Sequence, residues 1–156
     1  MITNKNILKK CKEWKRSSQT VVFTNGCFDL LHKGHLDLLN KASTFGDVLV
    51  IGLNSDESVK SLKGDNRPIE SQEERTRNLM KLEIVNDVFV FSPETPIDLI
   101  KMIKPDYLVK GGDYKDKDIV GSDEMLKWGG EVKIVNLTPG FSTTSTIEKK
   151  RRENLF

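Results

Sequence analysis

The sequence predicts an α/β protein, a single Rossmann-like, doubly wound domain on a five-stranded parallel sheet. Two observations predict it. Short, continuous, β-branched apolar runs alternate with helix-like segments to the end of the chain, and no internal repeat, low-complexity stretch or Pro/Gly linker divides them. A length of 156 residues suffices for one core but not for two ordinary enzymatic domains, so residues 1–156 are read as one domain with one site.

The elements follow in order. Ile7, Leu8, Cys11 and Trp14 fall at helical spacing, which gives a short amphipathic helix over 5–15; residues 1–18 form an N-terminal arm that packs on the domain. The strands are VVFTN (21–25), DVLVIGLN (47–54), DVFVF (87–91), DYLVK (106–110) and EVKIVNL (131–137), all expected to be buried. Helices are expected over 34–45, 55–62, 71–82, 95–103, 119–127 and 144–152. Right-handed crossovers through such helices place ligands beyond the carboxyl ends of the strands.

Composition excludes several classes. With 37% hydrophobic and 31% charged residues, no apolar run approaches the roughly 20 residues of a membrane span. The N-terminal stretch is charged throughout and has no apolar export core, so a cytoplasmic location is expected. A net charge of +2 is too small for nucleic acid binding by bulk electrostatics. The one dense basic run, Lys149 to Arg152, suits the last turns of a C-terminal helix. Cys11 and Cys27 suggest neither a disulfide framework nor a zinc site, and no residue is assigned as a metal ligand.

The first strand runs straight into NGCFDLLHKGH, residues 25–35, and then into a helix. Gly26 and Gly34 allow backbone to approach a ligand closely, and a phosphate fits between them. His32 and His35, the only histidines, share one face near a helix start and can point at the same anion. Attack on the α-phosphate of a nucleoside triphosphate spreads negative charge over oxygens that two imidazoles can hydrogen-bond. As plain structure, His32 would cap a turn and His35 would sit partly exposed on the helix. Two histidines flanking Gly34 directly after a strand favour the phosphate reading.

This segment resembles the signature of the HxGH nucleotidyltransferase superfamily, which includes cytidylyltransferases and phosphopantetheine adenylyltransferases. The resemblance implies that His32 and His35 contact triphosphate oxygens, with the Gly26 to Phe28 backbone beside the nucleotide. Leu30 stands where the phosphopantetheine branch usually has proline, which disfavours that branch.

After the second strand, Lys60, Lys63, Arg67, Arg75 and Arg77 are spaced through a loop and the next helix. Two phosphorylated substrates need fixed cations, arginine for bidentate contacts and lysine as a point charge. Lys60 and Arg77 are equally well read as solvated face. The pattern LKGxxRP followed by ER resembles the sugar-phosphate members of the superfamily. That resemblance assigns Lys63 to catalysis and Arg67 and Arg75 to substrate phosphate. Asp29 is grouped with these two, as a loop-orienting residue or a supporting metal ligand. Asp56 is read as a helix N-cap rather than a ribose ligand.

The fourth strand ends in Lys110, Gly111, Gly112 and Asp113, a second close-approach point against which a base can lie. Ser142, Thr143 and Thr144 offer hydroxyls and helix N-terminal amides to a phosphate, although serine and threonine also serve as ordinary caps. With Asn25, Gly26, Cys27, Phe28 and Gly34, these residues make up the expected nucleotide site.

Together, LKGxxRP, KGGDY followed by IVG and GGEV, and G-x-STT resemble one family, the heptose 1-phosphate adenylyltransferases, over nearly everything after residue 15. The resemblance implies transfer of AMP from ATP to D-glycero-β-D-manno-heptose 1-phosphate, giving an ADP-heptose for lipopolysaccharide core or a related surface glycan. It also implies a stand-alone form without the sugar kinase domain to which this domain is often fused, and a homodimer; Mg²⁺, bound mainly through the triphosphate, is expected because the triphosphate charge is otherwise excessive. One rival is a cytidylyltransferase acting on glycerol 3-phosphate, against which Leu137 to Gly140 speaks. The other is a nucleotide-binding module without chemistry.

Overall fold

The computed structural model describes residues 4–93, 95–112 and 119–136. Asp113, Ser142, Thr143, Thr144 and the helix expected over 144–152 lie outside them. The element order is α1 (Asn4–Arg16), β1 (Val21–Gly26), α2 (Lys33–Ser43), β2 (Val48–Asn54), α3 (Asp56–Lys63), α4 (Gln72–Met80), β3 (Asp87–Phe91), α5 (Ile97–Ile103), β4 (Tyr107–Gly111), α6 (Ser122–Lys127) and β5 (Glu131–Val135).

All strand pairings are parallel, in the order β3-β2-β1-β4-β5. Burial on both faces explains why the central strands are continuous apolar runs rather than alternating ones. On one face Phe23, Val50, Phe89 and Leu108 pack with Ile7 and Cys11 of α1, Leu99, Ile100 and Ile103 of α5, and Met125 of α6. On the other, Val22, Leu49, Ile51, Leu53 and Val109 pack with Leu39 and Ala42 of α2 and Leu79 of α4. The chain winds outward from β1 to β3 and then returns to β4 on the far side of β1. The switch point, where such sheets bind ligands, therefore lies between β1 and β4.

Several boundaries differ from expectation for local reasons. The helix expected over 119–127 begins at Ser122 because Gly121, at φ 95°, turns the chain into it from the left-handed region. Ser55, not Asp56, caps α3 by accepting a hydrogen bond from Ser58 N. β5 is an edge strand with Glu131 exposed and Val132 to Val135 only partly covered, so four strands are buried rather than five.

Gly52 shows how tightly β2 meets the core. A Cβ there would stand 2.6 Å from Phe23 Cζ and 3.2 Å from Leu99 Cδ2. Gly52→Ala should therefore lower stability by about 1–3 kcal/mol through overpacking, read as a shift in the urea midpoint at constant slope.

Candidate active site

The segment after β1 folds tightly. Phe28 and Leu30, at φ 47° and 52°, both occupy the left-handed region that non-glycine side chains rarely adopt. Between them the fully buried Asp29 turns its carboxylate inward to accept hydrogen bonds from Ile69 N (2.8 Å), Glu70 N (3.0 Å) and Arg67 Nε (3.2 Å). Glu70 answers by accepting from Leu30 N at 2.8 Å and from Asn78 of α4 at 3.0 Å. Two loops distant in sequence are thus laced together. Asp29 belongs to that lacing, which corrects its grouping with the substrate-phosphate residues; the loop-orienting alternative describes it.

Arg75 requires a larger correction. Its side chain is 0% exposed. Nε donates to Glu70 O (3.0 Å), Nη1 to Cys27 O and Asn54 O (both 2.8 Å), and Nη2 to Asp56 Oδ1 (2.8 Å). One guanidinium thereby joins the end of β1, the end of β2, the start of α3 and the loop before α4. A group so enclosed is a brace, not a phosphate ligand. Asp56, the first residue of α3, is its partner and ties the start of that helix to Arg75. Sequence reasoning saw the charge at position 75 but had no signal for Glu70, whose role arises only from the tertiary meeting of the two loops.

His32 and His35 combine both of their sequence readings. His32 is the N-cap of α2: its Nδ1 accepts from His35 N at 3.4 Å, while His35 Nδ1 accepts from His32 N at 3.3 Å. The rings stack at 3.7 Å between centroids, and Phe28 lies 5.4 Å from His35. An Nδ1 that accepts from an amide leaves the proton of a neutral ring on Nε2. Burial lowers the pKa of both imidazoles, and that of His35 falls to about 4 with a further push from His32. At neutral pH the pair thus offers two uncharged Nε2–H donors at a helix N-terminus.

The surrounding residues fall into groups. Asn25, Gly26, Cys27 and Phe28 stand at the end of β1 and Gly34 between the imidazoles. The Phe28 ring fills the space over Gly26, 3.1 Å from where a Cβ would be, so this glycine seats a side chain of the protein itself. Lys110 and Gly111 end β4, and Gly112, at φ 121°, donates to Val135 O at 3.0 Å. Thr24 Oγ1 bonds Val109 O at 2.8 Å and closes the floor of the switch point. Burial raises the pKa of the Cys27 thiol, opposed by the nearby charges of Lys63, Arg75 and Arg67, so the thiol stays protonated at neutral pH. Lys63, at the end of α3, is exposed, and its charge acts on the Cys27 thiol. Among the described residues no group of three or more His, Cys, Asp and Glu could enclose a metal ion.

A parallel sheet whose switch point is bordered by paired imidazoles at a helix N-terminus and by cations is a phosphate-handling α/β site of the HxGH type. Residues 23–152 match the family model described as cytidylyltransferase-like, and the chain belongs to that family of nucleotidyltransferases. Among curated proteins it is similar to "Bifunctional protein HldE" of Koribacter versatilis (strain Ellin345), with 49% identity over 149 residues, 96% of this chain and 31% of that protein. It is likewise 50% identical over 149 residues to HldE of Wolinella succinogenes, and 51% over 138 residues to that of Helicobacter pylori (strain J99). The chain spans about 30% of the length of these relatives. Among solved structures, a lipopolysaccharide core biosynthesis protein of Thermoplasma volcanium GSS1 superposes with TM-score 0.64 at 24% identity, over 77% of this chain and 97% of that one. Pantoate-beta-alanine ligase of Francisella tularensis reaches 0.64 at 16% identity, over 96% and 72% respectively. At these identities the likeness is one of fold.

Two outcomes follow from the geometry. Arg75→Met should destabilise the protein by about 3 kcal/mol, because it strands buried carbonyls, and thermal and urea unfolding will read the loss. In a ¹⁵N NMR titration His35 should stay neutral until the pH approaches about 4. The folded ring binds its proton more weakly than the unfolded one, so acid favours unfolding. Its contribution is complete above about pH 6.5 and is lost as the pH falls through the folded value.

Proposed function

We propose that this domain transfers AMP from ATP to D-glycero-β-D-manno-heptose 1-phosphate, releasing pyrophosphate and giving ADP-heptose for lipopolysaccharide core or surface glycan synthesis. The observation that carries the reading is the pair of neutral Nε2–H donors at the N-terminus of α2. The half-identity to HldE over nearly the whole chain supports the substrates. In the proposed reaction an oxygen of the sugar phosphate attacks the α-phosphorus in line, and the bond to the bridging oxygen breaks as pyrophosphate leaves. His32 and His35 donate to the oxygens that gain charge, and the helix N-terminus adds its positive end. Lys63 and Arg67 neutralise the phosphates. The protonated Cys27 thiol is no nucleophile, in keeping with a single displacement.

Mg²⁺ accompanying the triphosphate would supply charge neutralisation. The donor set fits an ion held chiefly by phosphate oxygens and water, since Asp29, the buried carboxylate nearby, is already held by two amides and Arg67. Ser142, Thr143, Thr144 and Asp113 remain candidate nucleotide ligands by resemblance, as does a homodimeric state. No helix among the described residues is long and apolar enough to cross a membrane, and use of ATP suits the cytoplasm.

The test is pyrophosphate release in the presence of Mg²⁺, with ATP or CTP against heptose 1-phosphate or glycerol 3-phosphate. Release is expected for ATP with the heptose alone; release for CTP with glycerol phosphate would replace the substrates. His32→Ala and His35→Ala should each slow turnover about 10²–10³-fold with the fold retained by circular dichroism, and full activity in the double variant would contradict the role given to the imidazoles.

A further inference from the structure

Two polar groups at the switch point find no fold partner among the described residues. The first is Asn25 Oδ1, buried and without a hydrogen-bond partner among the described residues. The second is Lys110, partly buried, for which no carboxylate partner is found among the described residues. Val22 pairs with Tyr107 and Phe23 with Leu108, so the parallel register carried two residues further sets Asn25 beside Lys110. Strand alternation then points both side chains to the sheet face of Phe23 and Leu108, which packs α1, α5 and α6. The imidazoles start α2, which packs the opposite face through Leu39 and Ala42. The crevice is thus bordered from one face by the imidazoles and from the other by an ammonium and an amide oxygen.

We propose, building on the adenylyl-transfer reading, that Lys110 and Asn25 form the acceptor subsite and not, as the sequence led us to expect, part of the nucleotide site: the Lys110 ammonium receives the phosphate of the sugar 1-phosphate and Asn25 Oδ1 accepts a hydrogen bond from its C2 hydroxyl. A buried ammonium without a carboxylate is relieved by an anion, and a buried amide oxygen by a hydroxyl or amine donor. A sugar 1-phosphate carries both on adjacent carbons, whereas in ATP the ribose hydroxyls lie away from the 5′-phosphates. In-line displacement also needs the attacking phosphate on the side of the α-phosphorus away from the leaving group, which the imidazoles hold. Burial supports the assignment by lowering the Lys110 pKa to about 8, with the neighbouring Cys27 acting in the other direction. An anion bound there restores the full positive charge.

Calorimetric titration of heptose 1-phosphate into protein saturated with a non-hydrolysable ATP analogue tests this. Lys110→Met should weaken sugar phosphate binding tenfold or more and leave affinity for the analogue within twofold, with Lys110→Arg recovering part of the loss. The intact protein should bind the 2-deoxy sugar phosphate about tenfold more weakly, and Asn25→Ala should bind both sugars alike. Thermal unfolding of each variant checks that the fold is retained. Loss of analogue affinity in Lys110→Met would give the ammonium to the nucleotide and overturn the proposal, as would unchanged affinity for both ligands. Intact protein that binds the sugar phosphate yet transfers nothing would contradict the reaction and not the subsite.

Discussion

Four hydrogen bonds from the buried guanidinium of Arg75 hold the site in shape. The carbonyls of Cys27 and Asn54 end two adjacent strands and would otherwise lie unpaired away from water. Satisfying both from one planar group fixes the distance between the strand ends, and with it the path of the chain into the two imidazoles. Asp29 and Glu70 extend the same lacing by exchanging side-chain bonds with each other's backbone neighbourhoods. The rigidity that phosphoryl chemistry demands comes here from polar bonds beneath the site.

Electrostatics then divides the labour. The helix N-terminus and two neutral imidazoles give directional donors, and formal positive charge is carried by the exposed Lys63 and by Arg67, which pairs with Asp29. Neutral rings suit this arrangement because two stacked imidazolium ions at 3.7 Å would repel each other and the helix N-terminus alike. On the opposite sheet face, burial lowers the pKa of Lys110 to about 8.

Much of this was legible in the sequence. Continuous β-branched runs located β1 to β4, where burial leaves little polar alternation to confuse the pattern, and the β-branched EVKIV located the partly covered edge strand β5. The HxGH segment located the site, because close backbone approach and paired donors restrict residue choice to glycine and histidine at fixed spacing. Arg75 departs from its expected role, and Asp29 carries two readings, for the opposite reason: a charged residue near a phosphate site looks the same in sequence whether it faces ligand or props up a loop. Which of the two it does depends on contacts across 48 and 41 positions, as in Arg75 to Cys27 and Asp29 to Glu70. Ser55 and Asp56 were exchanged because both are good caps and only the chain geometry chooses between them.

The proposed reaction, in which the crevice supplies positioning and hydrogen-bond donors and the nearby Cys27 thiol is protonated, is a single displacement. The stereochemical course at the α-phosphorus tests that most directly, using ATP made chiral by sulfur at the α-position and heptose 1-phosphate as acceptor. Inversion of configuration in the sugar nucleotide is the predicted result. Retention would reveal two successive displacements through a covalent enzyme intermediate and would contradict the account.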